Sequence, residues 1–344
     1  MRAEALTPAE LSPEEIEGAV LAESLLAANG QRRRLLAKGT ILRRDDWSLI
    51  SQAGVNELHV LRIEPGEIHE DEAARRLAAL VAGEGIGVHG PTESQMRLSA
   101  AVNGIFQVDL PRLEALNSIP DVSVFTLFDG QLVEKGKTVA GVKVTPFVIP
   151  VSRLESAQRV CGGGAVLCVN AFKPMRVGVL VRERLDARQR ERFRASIEVK
   201  VAWFGSRLTN IRYTGDAIEQ VASALSELIR EADLVLTAGA NATDPLDPTL
   251  QALERLGAHM EKQGAPAHPG SAVWLAYLEE KPIFGVAACG MFSKATVLDL
   301  VLPRLFAGQR LRAADFNRLG HGGLLSSDMR FRFPSYGAFD TLEP

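Results

Sequence analysis

Apolar and polar positions along this chain change their rhythm twice. Up to about residue 83 the rhythm is mixed. Residues 8–30 read as a helix, with Thr7 or Ser12 before Pro13 and a run of glutamates as start signals and Gly30 as the stop. A turn at Gly39, a short strand and a helix ending at Gly54 follow. Residues 57–62 alternate as a strand. Residues 69–81 then predict a helix, with acids in its first turn opposing the helix dipole and Gly83 behind it. Between 84 and 150 helical periodicity gives way to short alternating runs at 104–110, 122–127 and 139–148, punctuated by Gly and Pro, which predicts a small β-rich module. A helix over 151–160 leads into Gly162-Gly163-Gly164, a joint between domains.

From Pro174 strands and helices alternate. Residues 176–182 are apolar enough for a central parallel strand. A charged amphipathic helix covers 186–204, a strand 208–213, a helix 217–229 capped by Asp216, and a strand 233–237. Another helix begins at Asp247-Pro248 and runs through Leu256; 273–278 and 282–287 form paired strands; a last helix covers 292–306, with Pro303 inside it and Gly308 beyond it. The expected fold is therefore α/β, a three-layer doubly wound mostly parallel sheet, preceded by an α+β N-terminal region with the small β-rich module. The expected divisions are an N-terminal segment 1–83, the module and linker helix 84–160, the α/β domain 174–318 and a tail 319–344, partly ordered against a partner.

Charge narrows the function classes. The formal net charge is -3 and the pI about 6.1, which gives no electrostatic case for nucleic acid or an anionic membrane. Arg32-Arg33-Arg34 is a short solvated patch. No apolar run is long enough to cross a bilayer, and the N-terminus lacks the apolar core of a signal peptide. Cys161, Cys168 and Cys289 make no CxxC pair or disulfide framework, which points to the cytoplasm. The six histidines lack metal-ligand spacing.

Two stretches carry small residues suited to a ligand. Gly85-Ile-Gly-Val-His-Gly90 matches the GxGxxG pattern, but it follows a helix and Pro91 stands where a helix should open. It reads as a chain reversal. The second, Leu234-Val-Leu-Thr-Ala-Gly-Ala-Asn-Ala-Thr-Asp-Pro-Leu-Asp-Pro-Thr249, runs from a strand through small residues into two aspartates and a helix start. Small residues let the backbone approach a ligand, and a helix N-terminus favours an anion. This turn is the candidate phosphate site.

The C-terminal half resembles the molybdopterin-binding domain of molybdopterin molybdotransferases and adenylyltransferases. Thr237-Ala-Gly-Ala-Asn-Ala-Thr-Asp244 stands in place of the family's T-G-G-x-S/T-x-G turn and its aspartates. Ala267-His-Pro-Gly-Ser271 matches the Pro-Gly of a K-P-G-K-like turn, and Phe284-Gly-Val-Ala-Ala-Cys-Gly-Met-Phe-Ser-Lys294 leads into the last helix where the family has G-L-P-G. Lys38-Gly-Thr-Ile-Leu resembles the K-G-T-x-L segment of molybdotransferases, and Gly66-Glu-Ile-His-Glu-Asp-Glu-Ala73 and Gly320-His-Gly-Gly-Leu-Leu325 extend the resemblance to bacterial proteins that fuse this domain to a nucleotidyltransferase-like half, which this sequence does not contain. The departures are Ala238 for the first Gly, Asn241 and Thr243 for the later Ser/Thr and Gly, and Val286-Ala287-Ala288 for L-P-G.

The resemblance implies binding of molybdopterin or molybdenum cofactor, and a role in molybdenum cofactor biosynthesis such as metal insertion at the dithiolene. A non-catalytic carrier or chaperone for a molybdoenzyme is the competing class, and a small-molecule sensor on the same fold a third. Gly239, Ala240, Asn241 and Thr243 would serve the phosphate and pterin edge, with Pro269, Gly270, Ser271, Ser293 and Lys294. Asp244 and Asp247 stand where the family places functional acids, catalytic and able to hold Mg²⁺. Asp247 before Pro248 is equally an ordinary helix cap. His268 and Cys289 lie beside the same turns, each with a local packing role as the alternative. The cluster His69-Glu-Asp-Glu72 is either an acidic first turn or a second functional surface. A pterin cofactor, a molybdoenzyme or separate nucleotidyltransferase, and a homodimeric or other homo-oligomeric state complete the expected partners.

Overall fold

Sequence patterning resolves into two compact units in the computed structural model, which describes residues 2–28, 33–92, 95–182, 184–239, 243–286 and 295–336. The first unit comprises 1–102, 106–129 and 133–169. Its first core gathers Ile16, Leu21, Leu42, Ile50, Leu58 and Val60. The expected helix over 8–30 is not there. Pro8–Glu10 makes one 3₁₀ turn, and Val20–Leu21 pairs with Leu58–Arg62, whose other edge takes Arg2–Leu6. Ala, Leu and Glu are helix formers, but burial of Ile16, Val20 and Leu21 against a distant strand outweighs that local preference.

The second core of this unit packs the helix Glu70–Val81 against a four-stranded antiparallel sheet, in the order Val122–Thr126, Thr138–Val144, Gln95–Ala100, Ile86–Thr92. Ala73, Ala74, Leu77, Ala78 and Val81 form the buried stripe of that helix, at helical spacing. The segment 85–90, expected to be a reversal, is instead part of the strand Ile86–Thr92, paired with Gln95–Ala100. No nucleotide-binding turn forms there.

The second unit holds 170–336 with two short insertions, 103–105 and 130–132. Its elements are β1 Arg176–Val181, α1 Ala187–Trp203, β2 Arg207–Tyr213, α2 Ile218–Glu231, β3 Leu234–Ala238, α3 Pro248–Arg255, β4 His259–Gln263, β5 Trp274–Leu278, β6 Lys281–Val286 and α4 Val297–Phe306. The sheet order is β2-β1-β3-β6-β5-β4. The first four strands are parallel; β5 runs antiparallel to β6, and β4 runs antiparallel to β5. β1 and β3 are buried along nearly their whole length, which is why their sequences are continuously apolar rather than alternating. α2 and α3 pack on one core with Leu180 and Val235; α1 and α4 pack on the other with Val179 and Leu236. The sheet therefore has helices on both faces, the expected three layers.

Two details differ from the sequence reading. Asp216 does not cap α2, whose N-cap is Ala217 without a side-chain bond. The tail does not await a partner up to residue 336. Tyr336 is 3% exposed and lies in the core of its own unit, against Trp203 and Phe204. Among the described residues no helix is long and apolar enough to cross a membrane.

Candidate functional site

The chain leaves β1, crosses through α1 to β2 on one side, then returns through α2 to β3 on the other. β1 and β3 are thus neighbours whose connections leave in opposite directions, a topological switch point, and ligands of open α/β sheets sit outside its carboxyl ends. Register places two residues there: Val181 pairs with Ala238, so Arg182 and Gly239 follow side by side. Arg182 N–H donates to the Ala238 carbonyl at 2.9 Å. Gly239 has φ +86, open to glycine and costly for other residues.

Arg182 was not singled out by its sequence, in which it only ends an apolar run. Its side chain is 9% exposed and reaches Asp247, 65 positions later. Nη1 donates to Asp247 Oδ1 at 3.2 Å and Nη2 to Oδ2 at 2.9 Å, the forked pairing that guanidinium geometry favours. Nη2 also meets the Gly239 carbonyl at 3.3 Å. Nε is buried with no hydrogen-bond acceptor among the described residues, and the exposed Asp216 carboxylate lies 3.8 Å from it.

The two aspartates divide. Asp247 is buried and caps α3, its Oδ1 accepting from Thr249 N–H at 2.8 Å. With the Arg182 fork added, both its oxygens are engaged, so a metal ion at Asp247 would have to displace Arg182. Asp244 is exposed. Its Oδ1 accepts from Leu246 N–H at 2.9 Å and its carbonyl from Asp247 N–H at 3.0 Å, an Asx-type turn that shapes the segment before α3. Thr243 is exposed beside it. Ala240 and Asn241, expected to touch ligand, lie outside the described residues, as do Cys289, Ser293 and Lys294.

Pro269, Gly270 and Ser271 are brought to the start of α4. Val297 N–H donates to the Pro269 carbonyl at 3.2 Å. A Cβ on Gly270 would stand 3.0 Å from Val297 N and 3.3 Å from Thr296 Cβ, so this close approach, at φ +99, needs glycine. The other side of the turn is clamped by the tail: His268 N–H donates to Gly323 and Leu325 N–H returns to the His268 carbonyl. His268 is exposed and is fixed here through its backbone.

The start of α4 rests on a buried group that the sequence did not disclose. Asp299 Oδ2 accepts from Thr296 N–H at 2.9 Å and Thr296 Oγ at 3.0 Å, a capping box. Asp299 Oδ1 takes Lys200 Nζ at 2.7 Å and Tyr336 OH at 2.9 Å. Lys200 and Asp299 are 1% and 0% exposed, so each charge requires the other. Burial, with Asp299 beside it, pushes the Tyr336 phenol well above its usual range. Val286 ends β6 beside Ala238.

Among the described residues no group of three or more His, Cys, Asp or Glu side chains is placed to hold a metal ion. For a phosphate the fit is better. It finds a positive-φ glycine, a buried Arg182 Nε–H with no acceptor among the described residues, and the N-terminus of α4 held in place.

Comparison with known proteins places a family here. Residues 179–307 match the family described as the probable molybdopterin binding domain. No curated protein matches the chain. Among solved structures, the molybdopterin biosynthesis moeA protein from Pyrococcus horikoshii is 13% identical, with 70% of this chain and 79% of that one covered and a TM-score of 0.31. A molybdenum cofactor biosynthesis protein from Pyrococcus furiosus is 15% identical, covering 83% and 57%, with a TM-score of 0.22. The molybdopterin biosynthesis enzyme MoaB from Thermus thermophilus is 14% identical, covering 39% and 98%, with a TM-score of 0.28.

Proposed function

We propose, from the match of residues 179–307 to the probable molybdopterin binding domain, that the chain binds molybdopterin or molybdenum cofactor at the carboxyl ends of β1 and β3 and acts in molybdenum cofactor biosynthesis. The observation that carries this reading is that the family match spans the switch point where Gly239 and Arg182 meet. In this reading Gly239, Ala240, Asn241 and Thr243 receive the phosphate and the pterin edge from one side. Pro269, Gly270 and Ser271, with Ser293 and Lys294, receive it from the other. Arg182 offers its Nε–H to the anion while Asp247 holds the guanidinium in place.

If the chain is catalytic, the reaction is metal insertion at the dithiolene, and Asp244 is the carboxylate that would hold a divalent cation, which would supply charge neutralisation there. Asp247 then acts as the anchor of Arg182 and of α3 rather than as the first metal ligand, because both its oxygens are already engaged. The competing reading is a carrier that delivers the cofactor to a molybdoenzyme. It is favoured by the departures from the family turn, Ala238 for Gly and Val286 in the L-P-G position. The reading includes a cytoplasmic location, supported by Cys161 and Cys168, neither of which is in a disulfide among the described residues. It also includes a homo-oligomer, to be measured by light scattering.

The test is purification followed by fluorescence detection of oxidised pterin and metal analysis. Co-purifying or titratable pterin is the expected result, and absence of any pterin affinity overturns the reading. Asp244→Ala then separates the classes: loss of cofactor formation with binding retained identifies the enzyme, and unchanged turnover removes it.

A further inference from the structure

The N-terminal unit contains a cavity of about 810 Å³ that the molybdopterin reading does not use. Most of its lining comes from three pieces of chain, the segment 34–43, the start of the helix Glu70–Val81, and the end of the strand Thr138–Val144 with Phe147 beyond it, with Ser24, Asp46 and Pro91 completing it. Its volume is that of a small-molecule site.

One wall is fixed by His69. Its Nε2 donates to the Gly39 carbonyl at 2.8 Å, while Nδ1 accepts from Asp71 N–H at 3.2 Å. Both ring nitrogens are engaged, so the ring ties the Gly39 turn to the helix start. The turn itself is pressed close. A Cβ on Gly39, where φ is +80, would stand 2.6 Å from Glu70 Oε1 and 3.3 Å from Phe147 Cδ1. Glu70 beneath it is 3% exposed. The cavity wall is therefore built in advance rather than assembled from loose side chains.

The charges that face this space do not balance. Lys38, Arg43 and Lys143 line it, and none has a carboxylate within ion-pairing distance among the described residues. Most of the acids on the rim are engaged. Glu72 is held by Arg75 at 3.2 Å and Arg76 at 2.8 Å, and Asp46 accepts the Arg43 backbone N–H at 2.9 Å. Glu70 is buried under the turn, which leaves Asp46 and Asp71 as the carboxylates facing Lys38, Arg43 and Lys143. Two ammonium groups and a guanidinium lining one cavity suit a phosphate or diphosphate, which takes charged hydrogen bonds from both kinds of head. Phe147 and Ile41 add apolar surface for an organic portion.

The geometry points to a second ligand site, in which Lys38, Arg43 and Lys143 bind a phosphorylated small molecule within the N-terminal unit, independently of the pterin site. The shared chemistry is the phosphate group, whose source is either an inorganic anion or a nucleotide. Isothermal titration calorimetry of the full chain with inorganic pyrophosphate and, separately, with ADP tests it. Saturable binding that weakens as salt rises is expected, and it should fall about tenfold or more in a Lys38→Gln, Lys143→Gln double variant, since each lost charged hydrogen bond is worth that much. ADP binding more tightly than pyrophosphate assigns the source to a nucleotide; equal affinity assigns it to the phosphate group alone. Arg43→Gln gives an independent check, and circular dichroism of both variants confirms that these exposed substitutions leave the fold intact. Heat from neither probe, or the same affinity in wild type and double variant, overturns the proposal. Because no residue of residues 179–307 is altered, that failure leaves the pterin reading untouched.

Discussion

Asp247 is held in three ways, and each hold has a cost when removed. It caps α3 through Thr249 N–H and takes two hydrogen bonds from Arg182 in a nearly dry setting. Asp247→Ala leaves Arg182 buried without its counter-charge and strips the cap, so the C-terminal unit should lose about 3 kcal/mol or more in urea unfolding. The cap was legible from Asp-Pro at a helix start. The ion pair was not, because its partner lies at the end of an apolar strand that contacts this helix only in the folded sheet. Asp233 makes the opposite, exposed case. Arg176 donates to it through Nε, Nη2 and its backbone N–H, and chiefly that side-chain bonding holds its carboxyl below the usual aspartate range. A depressed carboxyl adds stability above its unfolded pKa and loses it as pH falls through the folded one. Both side chains are well exposed, so the effect is small. In Asp233→Asn the urea midpoint should be slightly lower at neutral pH, and its decline in acid shallower than in wild type.

At the scale of elements, the hairpin β5–β6 sets the limit on change. Gly285 pairs across from Trp274, and a Cβ there would stand 1.9 Å from the Trp274 Cε2. Trp274 is fully buried and has nowhere to go. Gly285→Ala should therefore cost about 1–3 kcal/mol, read as a lower thermal midpoint, by overpacking of a fixed core. The alternation of β1 to α4 was readable because parallel strands buried on both faces are continuously apolar and their crossover helices are long. β4 was missed, since His259-Met-Glu-Lys-Gln263 is a polar edge strand with no such signal. The 8–30 segment was misread for the reverse reason: good helix formers were drawn into two-residue strands by a partner about forty positions away.

At the scale of the molecule, two units with separate cores predict more than one unfolding event. Scanning calorimetry should show two transitions, with pterin raising the one that belongs to the C-terminal unit and pyrophosphate the other. Coincident shifts of a single transition would contradict this. The family turn and the Pro-Gly turn were legible because glycine and proline announce backbone constraints. The cavity beside His69 was not, because the sequence shows only an acidic helix start and hides the three cations brought to it from 38, 43 and 143.

The seat of Tyr336 also imposes an order on synthesis. Trp203 and Ser335 are bonded across 132 positions, and Lys200 and Asp299 across 99. At ribosomal speeds of 5–20 residues per second, Trp203 is made roughly 7–26 s before Ser335. The N-terminal unit has all of its chain by residue 169 and is free to fold during that interval. The C-terminal unit must wait, with the aromatic slot around Trp203 and Phe204 uncovered until Tyr336 is translated. Nascent-chain stalling at positions before and after 336 would locate that moment, with protease resistance of the C-terminal unit rising only in the longer chains.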